Sequence, residues 1–251
     1  MKLYLVGAGP GDPELITLKA VKILQNARVV LYDALVHDDV LSHCPPDCRL
    51  IYVGKRGHQK SCEQSWINEL IVEMAQQHGE VVRLKGGDPF IFGRGGEELS
   101  YAQQYGIETI VIPGLSSSYA VPTLNHIPLT HRGLSESFWV LTGTIKNHQL
   151  SADIALAAQS SATIVILMGM HRLAEIVAIY QNLGQSNTPV AIIQNGSMPD
   201  ECSVTGQIFN IEQLVQAQNL GAPAIIVIGA VVDVLKNAQF SNIKLEDMAV
   251  G

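Results

Sequence analysis

The sequence predicts an α/β protein of two domains, with a parallel sheet in the first domain and a mixed sheet in the second. Three observations predict it: the chain has 251 residues, 47% of them are apolar, and short apolar runs alternate with helical patterns. At about 150 residues per domain, this length gives one or two domains. The apolar fraction provides a buried core, which excludes a disordered or fibrous chain.

The first half of the chain has the pattern of a parallel sheet. Five apolar runs predict buried strands: Leu3–Val6, Arg28–Tyr32, Leu50–Val53, Val81–Leu84 and Thr109–Ile112. Three stretches between them predict helices: Thr17–Leu24, Trp66–Gln77 and Glu97–Gln104. Strands separated by helices indicate βαβ units, and therefore a largely parallel sheet with helices on both faces.

A second series of strands follows a break in the pattern. Its members are Phe138–Leu141, Thr163–Met168, Val190–Ile193, Ser203–Thr205 and Ala224–Ile228. Helices separate these strands less regularly, which favours a mixed sheet. We place the division within Pro113–His131, which gives domains of residues 1–114 and 115–236 and a polar tail of residues 237–251.

Charge and composition exclude several classes of protein. The net charge is −7, which disfavours general attraction to nucleic acid or to an anionic membrane. The longest apolar run, Ala222–Val232, is shorter than the ~20 residues that a membrane helix needs. The four cysteines and the scattered histidines lack a metal-ligand spacing, so we expect free thiols, no metal and a reducing, cytoplasmic location.

The first strand leads into a glycine-rich loop, Gly7–Pro13, ahead of a helix. Such a loop lets backbone N–H groups approach a ligand. Asp33 ends the second strand, where a dinucleotide-binding protein has its ribose-binding acid. However, the last glycine position of that fingerprint is Asp12, and Pro10 stiffens the loop, so the pattern is weak support for nicotinamide binding. A purely structural turn is the other alternative.

A second glycine-rich segment, Arg83–Glu98, is more specific, because five glycines fall within eleven residues beside Phe90, Ile91 and Phe92. A simple connector would not need aromatic side chains next to bare backbone. We predict a wall for a flat, partly polar ligand, in which the Asp88 carboxylate holds hydroxyls or an amine and Ile91 covers an aromatic face. The alternative is a turn whose apolar residues complete the core.

Taken in order, these motifs resemble those of the tetrapyrrole methylases from about Lys2 to Leu235. The resemblance rests on eight segments: Val6–Asp12, Tyr32–Asp33, Val53–Arg56, Arg83–Glu98, Pro113–Gly114, Ile127–Arg132, Met168–Gly169 and Gln194–Ser197. It implies two α/β domains with the active site in the cleft between them, S-adenosyl-L-methionine as methyl donor, a tetrapyrrole substrate and a homodimer.

The resemblance also assigns roles by position. It implies donor binding by Pro10, Gly86, Gly87, Asp88, Ile91, Ser116, Ser117, Met168, Gly196 and Ala224. Asp33 falls on the family's proton acceptor and Lys55 on its proton donor. Lys60 stands where relatives usually have histidine, and Asn125 and His126 stand where a small residue and a glycine are usual.

The implied chemistry sets further expectations for charged residues. After a ring carbon gains a methyl group, the macrocycle must release a proton, and Asp33 could accept it; a solvated loop acid is the alternative. The implied substrate carries many carboxylates, so we expect Arg56, Arg94 and Arg132 to bind it through their planar guanidinium groups. A role in surface solubility is equally open for each of these cations.

The sequence leaves competing functions to be separated. Within the family, the alternative is a methylase acting later in corrin assembly. A relative that modifies protein or ribosomal RNA is less favoured, because the chain lacks basic stripes with interleaved aromatics. A nucleotide-sensing module without catalysis is a third alternative, in which Asp33 and Lys55 could be exchanged without loss.

Overall fold

The structure, a computed structural model, describes residues 1–54, 63–145 and 149–234. The chain divides between Ser117 and Ser118 into two compact units, which we call unit 1 and unit 2. Each unit contains one five-stranded sheet. The predicted polar tail, and the candidate residues Lys55, Arg56 and Lys60, lie outside the described residues.

Unit 1 contains a wholly parallel sheet in the order β3-β2-β4-β1-β5. Its strands are β1 (Lys2–Gly7), β2 (Val29–Tyr32), β3 (Arg49–Tyr52), β4 (Glu80–Lys85) and β5 (Glu108–Ile112). Its helices are α1 (Leu18–Leu24), α2 (Asp38–Leu41), α3 (Gln64–His78) and α4 (Gly95–Gln104). The predicted parallel sheet is therefore confirmed.

Helices cover both faces of this sheet, because its strands are apolar on both sides. Alternate residues of a strand point to opposite faces. Val82 of β4 packs in a core cluster with Ala20 and Leu24 of α1. Its neighbour Val81 packs in a separate cluster with Ile71 of α3. The odd-numbered face of β4 therefore lies under α3 and α4, and the even-numbered face under α1 and α2.

Unit 2 contains the mixed sheet that the sequence predicts, in the order β6-β7-β10-β8-β9. Its strands are β6 (Phe138–Thr142), β7 (Thr163–Leu167), β8 (Pro189–Gln194), β9 (Cys202–Gln207) and β10 (Ala224–Ile228). Only β6 and β7 pair in parallel, and the other neighbours are antiparallel. Its helices are α5 (Ser117–Leu124), which begins at the last residue of unit 1, α6 (Asp153–Ala157), α7 (Leu173–Asn182) and α8 (Ile211–Ala217).

Helix α5 forms where the sequence suggested only a break rich in serine. It contains Pro122, which cannot donate the backbone hydrogen bond of a helix interior. Its Val121 is nevertheless buried in a cluster with Val165 and Ile225 of the sheet. Tertiary packing therefore outweighs the poor helix propensity of this segment. In the part of the chain that the structure describes, no helix is long and apolar enough to cross a membrane.

Candidate functional site

The carboxyl ends of the parallel strands place several candidate residues at one edge of unit 1. Strand β1 is followed by the first glycine loop, β2 by Asp33, β4 by Gly86 and β5 by Gly114. Ligands of open α/β sheets bind at this edge, where strand order allows adjacent loops to separate. The parallel arrangement therefore gathers residues that are up to about a hundred positions apart in the sequence.

The two glycine-rich loops pair directly with each other. The Gly87 N–H donates to the Gly9 carbonyl at 2.6 Å, and the Gly9 N–H donates to the Gly87 carbonyl at 3.3 Å. One step earlier, the Ala8 N–H donates to the Lys85 carbonyl at 2.7 Å. These bonds join the loops that follow the parallel strands β1 and β4 through an antiparallel Gly9–Gly87 bridge, so the two loops form one surface.

Two glycines, Gly7 and Gly114, allow this close approach. A Cβ atom on Gly7 would lie 2.6 Å from the Gly87 carbonyl oxygen and 2.5 Å from the Gly114 nitrogen. A Cβ atom on Gly114 would also collide with the Gly87 oxygen. These distances are too short for any side chain, so glycine at these positions is required for packing.

Gly87 differs, because its missing side chain faces open space. Its φ is +67°, and a Cβ atom placed there would meet nothing within 4 Å. At the preceding Gly86, a Cβ atom would lie 2.6 Å from Leu35 Cβ. Gly87 therefore leaves a bare, left-handed backbone segment open beside the paired loops.

The Asp88 carboxylate bonds to backbone groups of its own unit. Its Oδ1 accepts from the Phe90 N–H at 2.8 Å, and its Oδ2 accepts from the Gly114 N–H at 3.2 Å. These bonds tie the loop after β4 to the end of β5. Ile91, expected to cover an aromatic face, is 42% exposed between two exposed phenylalanines.

Asp33 is held by two groups of β4 and its following loop. Its Oδ2 accepts from Arg83 Nη2 at 3.2 Å, and its Oδ1 accepts from the Gly86 N–H at 3.3 Å. The side chain is 25% exposed, so the carboxylate is both oriented and accessible. This arrangement suits a group that exchanges a proton with a ligand at the sheet edge.

Next to Asp33 lie the buried charged side chains of Arg83, Lys85 and Glu98. We call these three residues, together with Asp33, the buried ion cluster. Arg83 and Lys85 leave the same face of β4 and are 3% and 4% exposed. Arg83 Nε and Lys85 Nζ each donate to Glu98 Oε1 at 3.1 Å. Gln64 of α3 donates to the same oxygen at 3.2 Å, whereas the buried Oε2 has no hydrogen-bond partner among the described residues.

The cluster perturbs the protonation of Lys85. Burial lowers the pKa of the Lys85 ammonium, and the adjacent positive charge of Arg83 lowers it further. The carboxylates of Glu98 and Asp33 oppose this change without cancelling it. Because Glu98 lies in the first turn of α4, its bonds to β4 also tie together the two ends of the intervening loop.

In unit 2, three candidate residues gather at one end of the sheet. Met168 directly follows β7, Gly196 lies just beyond β8, and Ala224 begins β10. Strand β10 pairs with both others, with Ala224 opposite Gln194 and Ile225 opposite Leu167. The antiparallel pairing therefore brings together three residues that are separated by up to 56 positions in the sequence.

Met168 has unusual geometry for a residue at a strand end. Its φ is +56°, and its side chain is 52% exposed. The Thr144 hydroxyl donates to the Met168 carbonyl at 3.0 Å and holds this conformation. A non-glycine residue in the left-handed region is uncommon and often marks a functional site.

The remaining donor candidates have varied surroundings. A Cβ atom on Gly196 would lie 2.6 Å from Val121 Cγ2, so that glycine is also needed for packing. Ser116 is buried at 3% exposure, and Ser117 begins α5. Pro10 is partly buried within the first glycine loop.

The two described arginine candidates differ in their present partners. Arg94 makes two hydrogen bonds with the Glu97 carboxylate, at 2.9 and 2.7 Å, so its fork is already occupied. Arg132 is exposed and lines a surface cavity of about 240 Å³ with His131 and Glu136. Arg132 is therefore the arginine of this pair that is more available to an acidic ligand.

The structure describes the surroundings of the two residues, Asn125 and His126, that depart from the family pattern. His126 has a φ of +57°, a conformation that glycine adopts without strain. Asn125 donates through Nδ2 to Glu201 Oε1 at 3.0 Å and to the Val121 carbonyl at 3.1 Å. A cavity of about 140 Å³ lies beside both residues.

The sequence reasoning missed the buried ion cluster around Asp33. The signal was present, because Arg83 and Lys85 interrupt an apolar strand at a spacing of two and so share one face. Charged residues in a central strand need buried partners. Within the described residues, no cluster of three His, Cys, Asp or Glu side chains could hold a metal ion.

Comparisons with known proteins agree with this geometry. The family model described as Tetrapyrrole (Corrin/Porphyrin) Methylases matches residues 2–212. A uroporphyrinogen-III C-methyltransferase from Methanocaldococcus jannaschii is 44% identical over 236 residues, which cover 93% of this chain and 98% of that relative. A siroheme synthase from Nitrosomonas europaea is 40% identical over 98% of this chain, but the match covers 52% of that relative.

A solved structure is similar over the same extent. The uroporphyrin-III C-methyl transferase from Thermus thermophilus, crystallised in complex with S-adenyl homocysteine, matches with a TM-score of 0.80 and 37% sequence identity. The match covers 93% of this chain and 94% of that one. Similarity of this extent, together with the paired glycine loops, confirms the resemblance inferred from the motifs: the chain belongs to the tetrapyrrole methylases.

Proposed function

We propose that the protein transfers methyl groups from S-adenosyl-L-methionine to carbons 2 and 7 of uroporphyrinogen III, forming precorrin-2 for sirohaem or cobalamin synthesis. The observation that carries the proposal is the joining of two glycine loops beside the Asp33 carboxylate at one sheet edge. Relatives that are 37–44% identical over 93% of the chain are named for methyl transfer to uroporphyrin-type substrates.

The open backbone at Gly87 is the feature that fits the donor. In unit 1 the donor-binding residues are Pro10, Gly86, Gly87, Asp88, Ile91, Ser116 and Ser117. In unit 2 they are Met168, Gly196 and Ala224. The Asp88 carboxylate keeps further lone pairs beyond its two backbone bonds, so it can still accept from a hydroxyl or an amine.

The protein's contribution to the reaction is mainly placement. When bound, the donor supplies an electrophilic methyl group on a positively charged sulfur. The ring carbon of the substrate is an electron-rich nucleophile, so the site chiefly needs to align the two and exclude water. The exposed apolar side chains of Ile91 and Met168 suit a reaction in which positive charge leaves sulfur.

Asp33 completes the reaction by accepting a proton. As the new carbon–carbon bond forms, the bond from sulfur to the methyl carbon breaks, and S-adenosyl-L-homocysteine is left as product. The methylated macrocycle then releases one proton, which the partly exposed Asp33 carboxylate accepts. Lys55, which lies outside the described residues, is proposed as the proton donor.

Local cations offset the overall negative charge when the substrate binds. The substrate carries eight carboxylates, and the chain itself has a net charge of −7. We assign substrate binding to Arg56, Arg94 and Arg132. Of these, Arg94 must share its guanidinium with Glu97 or exchange that partner for a substrate carboxylate.

The assembly and location follow from the family resemblance and composition. We propose a cytoplasmic homodimer that acts on a small-molecule tetrapyrrole. Gel filtration with light scattering is expected to give twice the chain mass of 27.1 kDa. A particle of one chain mass would contradict the dimer without affecting the proposed reaction.

The test of the proposed reaction is an assay with uroporphyrinogen III and isotopically labelled donor under anaerobic conditions. The expected product carries two transferred methyl groups by mass spectrometry, located at carbons 2 and 7 by NMR. A parallel assay with tetrapyrroles that are already methylated tests for a family member acting later in corrin assembly. Donor binding without transfer to any tetrapyrrole would support the sensing module and overturn the proposal.

A further inference from the structure

Arg83 is the side chain that joins the two carboxylates of the buried ion cluster. Its Nε donates to Glu98 Oε1 at 3.1 Å, and its Nη2 donates to Asp33 Oδ2 at 3.2 Å. Its Nη1 donates to the backbone carbonyls of Leu84 at 2.9 Å and Leu31 at 3.3 Å. All three nitrogens of the guanidinium are therefore anchored, and the group cannot rotate without breaking several bonds.

The bonds of Arg83 are not needed to tie the loop after β4 to helix α4. Lys85 already joins the start of the loop to Glu98 at its end. Burying a second cation in the same place is costly unless it is paired. Asp33 supplies the second negative charge, but it does so at the sheet edge, with 25% of its side chain exposed.

The geometry points to Arg83 as a positioning residue for proton removal after methyl transfer, an inference that rests on the proposed function, in which Asp33 is the proton acceptor. Arg83 donates to Oδ2 of Asp33, and the Gly86 N–H donates to Oδ1. These two bonds fix the plane of the carboxylate beside the loop after β4. Glu98 in turn fixes Arg83. The planar guanidinium of arginine bonds to both carboxylates at once in a fixed geometry, which a lysine at the same position cannot reproduce.

A double-mutant cycle on kcat tests the inference. The variants are Arg83→Gln, Asp33→Asn and the double variant, each assayed for methyl transfer to uroporphyrinogen III. We expect Arg83→Gln to lower kcat by about 10- to 100-fold, the range typical of a misplaced catalytic group. The KM for the tetrapyrrole and the Kd for S-adenosylhomocysteine should change by less than about threefold. Because Arg83 acts through Asp33, the double variant should be no slower than Asp33→Asn alone.

Controls separate positioning from loss of folded protein. Titration with S-adenosylhomocysteine counts binding-competent chains, and kcat is expressed per competent chain. Val82→Ala, in the same strand but in the opposite core cluster, lowers stability without touching the ion cluster, and its kcat per competent chain should equal that of the original protein. If Arg83→Gln does not fold, Arg83→Lys keeps a charge beside Glu98 but loses the fork, and it should show the same non-additivity with Asp33→Asn.

The outcomes distinguish the inference from the function on which it rests. If the original protein does not methylate uroporphyrinogen III, the proposed function is wrong. If the original protein is active and Arg83 variants keep its kcat, Arg83 has no positioning role. Additive losses in the double variant would also overturn the inference, because they would mean that Arg83 acts independently of Asp33.

Discussion

Gly86 and Gly87 are neighbours in the sequence, yet a side chain would meet different surroundings at each. At Gly86 it would collide with Leu35, whereas at Gly87 it would enter open space. The first glycine is explained by packing, and the second only by the need for bare, left-handed backbone. The proposed donor, in contact with this loop, would account for the open space at Gly87.

We predict that Gly87→Ala weakens donor binding with the fold intact. The methyl group would occupy ligand space, so the Kd for S-adenosylhomocysteine by calorimetry should rise at least tenfold, which corresponds to about 1.4 kcal/mol. The matched control is Gly106→Ala in the turn after α4, where φ is +70° and nothing lies within 4 Å. Both variants carry a similar cost of left-handed alanine, of order 1 kcal/mol. Equal Kd values for the two variants would contradict the assignment.

We predict that Asp33→Asn lowers turnover while donor binding survives. General base catalysis is worth about 10²- to 10⁴-fold, so kcat should fall within that range. The amide retains an oxygen that can accept from Arg83 or Gly86, which preserves the local fold. Asp153→Asn, on the exposed first turn of α6, is the control and should leave kcat unchanged. Normal turnover by Asp33→Asn would support the solvated loop acid instead.

At the scale of the residue, the sequence drew attention to Asp88 but did not predict its hydrogen-bond partners. The motif around Asp88 predicted an acid at the ligand wall, yet its carboxylate bonds to the Phe90 and Gly114 N–H groups. A bond to a residue two positions ahead is local, but the bond to Gly114 depends on β5 lying beside β1. No spacing rule within the motif contains that information.

Strand β4 combines two roles at the scale of the element. Its central place in the sheet buries both of its faces, and its odd-numbered face carries Arg83 and Lys85 into the interior. A strand of Val and Leu alone would be more apolar and simpler to bury. The two cations are buried although desolvation opposes them, which favours the proposal that the carboxyl end of β4 serves the site.

We predict a pH-dependent contribution of Lys85 to stability. Burial lowers its pKa in the folded state below the value of 10.5, so the unfolded chain holds this proton more tightly. The resulting destabilisation is fully present below the folded-state pKa and is lost as pH rises towards 10.5. Each unit by which the pKa is lowered corresponds to about 1.4 kcal/mol.

The measurement is urea unfolding of the original protein and of Lys85→Met at about pH 7.5 and about pH 10. The free energy of unfolding of the original protein, minus that of the variant, should rise with pH. Titrating groups that do not interact with Lys85 are shared by both proteins and cancel in the difference. A difference that stays constant or falls with pH would contradict a lowered pKa at Lys85.

The elements themselves were largely predictable from the sequence. The ten strands that the structure describes all form where the sequence predicts strands. Most of them are continuous apolar runs, the signal that buried strands leave, whereas β9 is largely polar. Helices α2, α5, α6, α7 and α8 were not predicted. Four of them have only four to eight residues, too few for a clear helical period, whereas the ten-residue α7 buries Leu173, Ile176, Val177 and Tyr180 at helical spacing, a signal that the sequence analysis missed. The formation of the short helices depends on packing against a sheet, as Val121 of α5 illustrates.

At the scale of the whole molecule, the proposed donor-binding residues fall in both units. Gly86, Gly87 and Asp88 belong to unit 1, whereas Met168, Gly196 and Ala224 belong to unit 2. The mixed pattern of strands predicted two sheets, and the described part of the chain forms two. The proposal that one donor contacts loops of both units comes from the family resemblance, because no local pattern records contacts made through a ligand.

We predict that S-adenosylhomocysteine protects both units from hydrogen exchange. A ligand at 100 times its Kd stabilises the bound state by about 2.7 kcal/mol, so amides that it orders should exchange more slowly. Mass spectrometry should show slower exchange in peptides covering residues 84–92 and 166–170. The α7 peptide, residues 173–182, serves as reference. Protection confined to unit 1 would contradict the roles proposed for Met168, Gly196 and Ala224.

The pairing of Gly9 with Gly87 has a consequence for how this protein can vary. Two loops that are hydrogen-bonded to each other have a fixed register, so a residue added to or deleted from either loop disturbs the pairing of both. Substitutions at exposed positions such as Phe90 leave that register untouched. In the two paired glycine loops, a change of loop length is therefore harder to accommodate than a change of side chain. Relatives of this chain should differ in these loops by substitution and never by insertion.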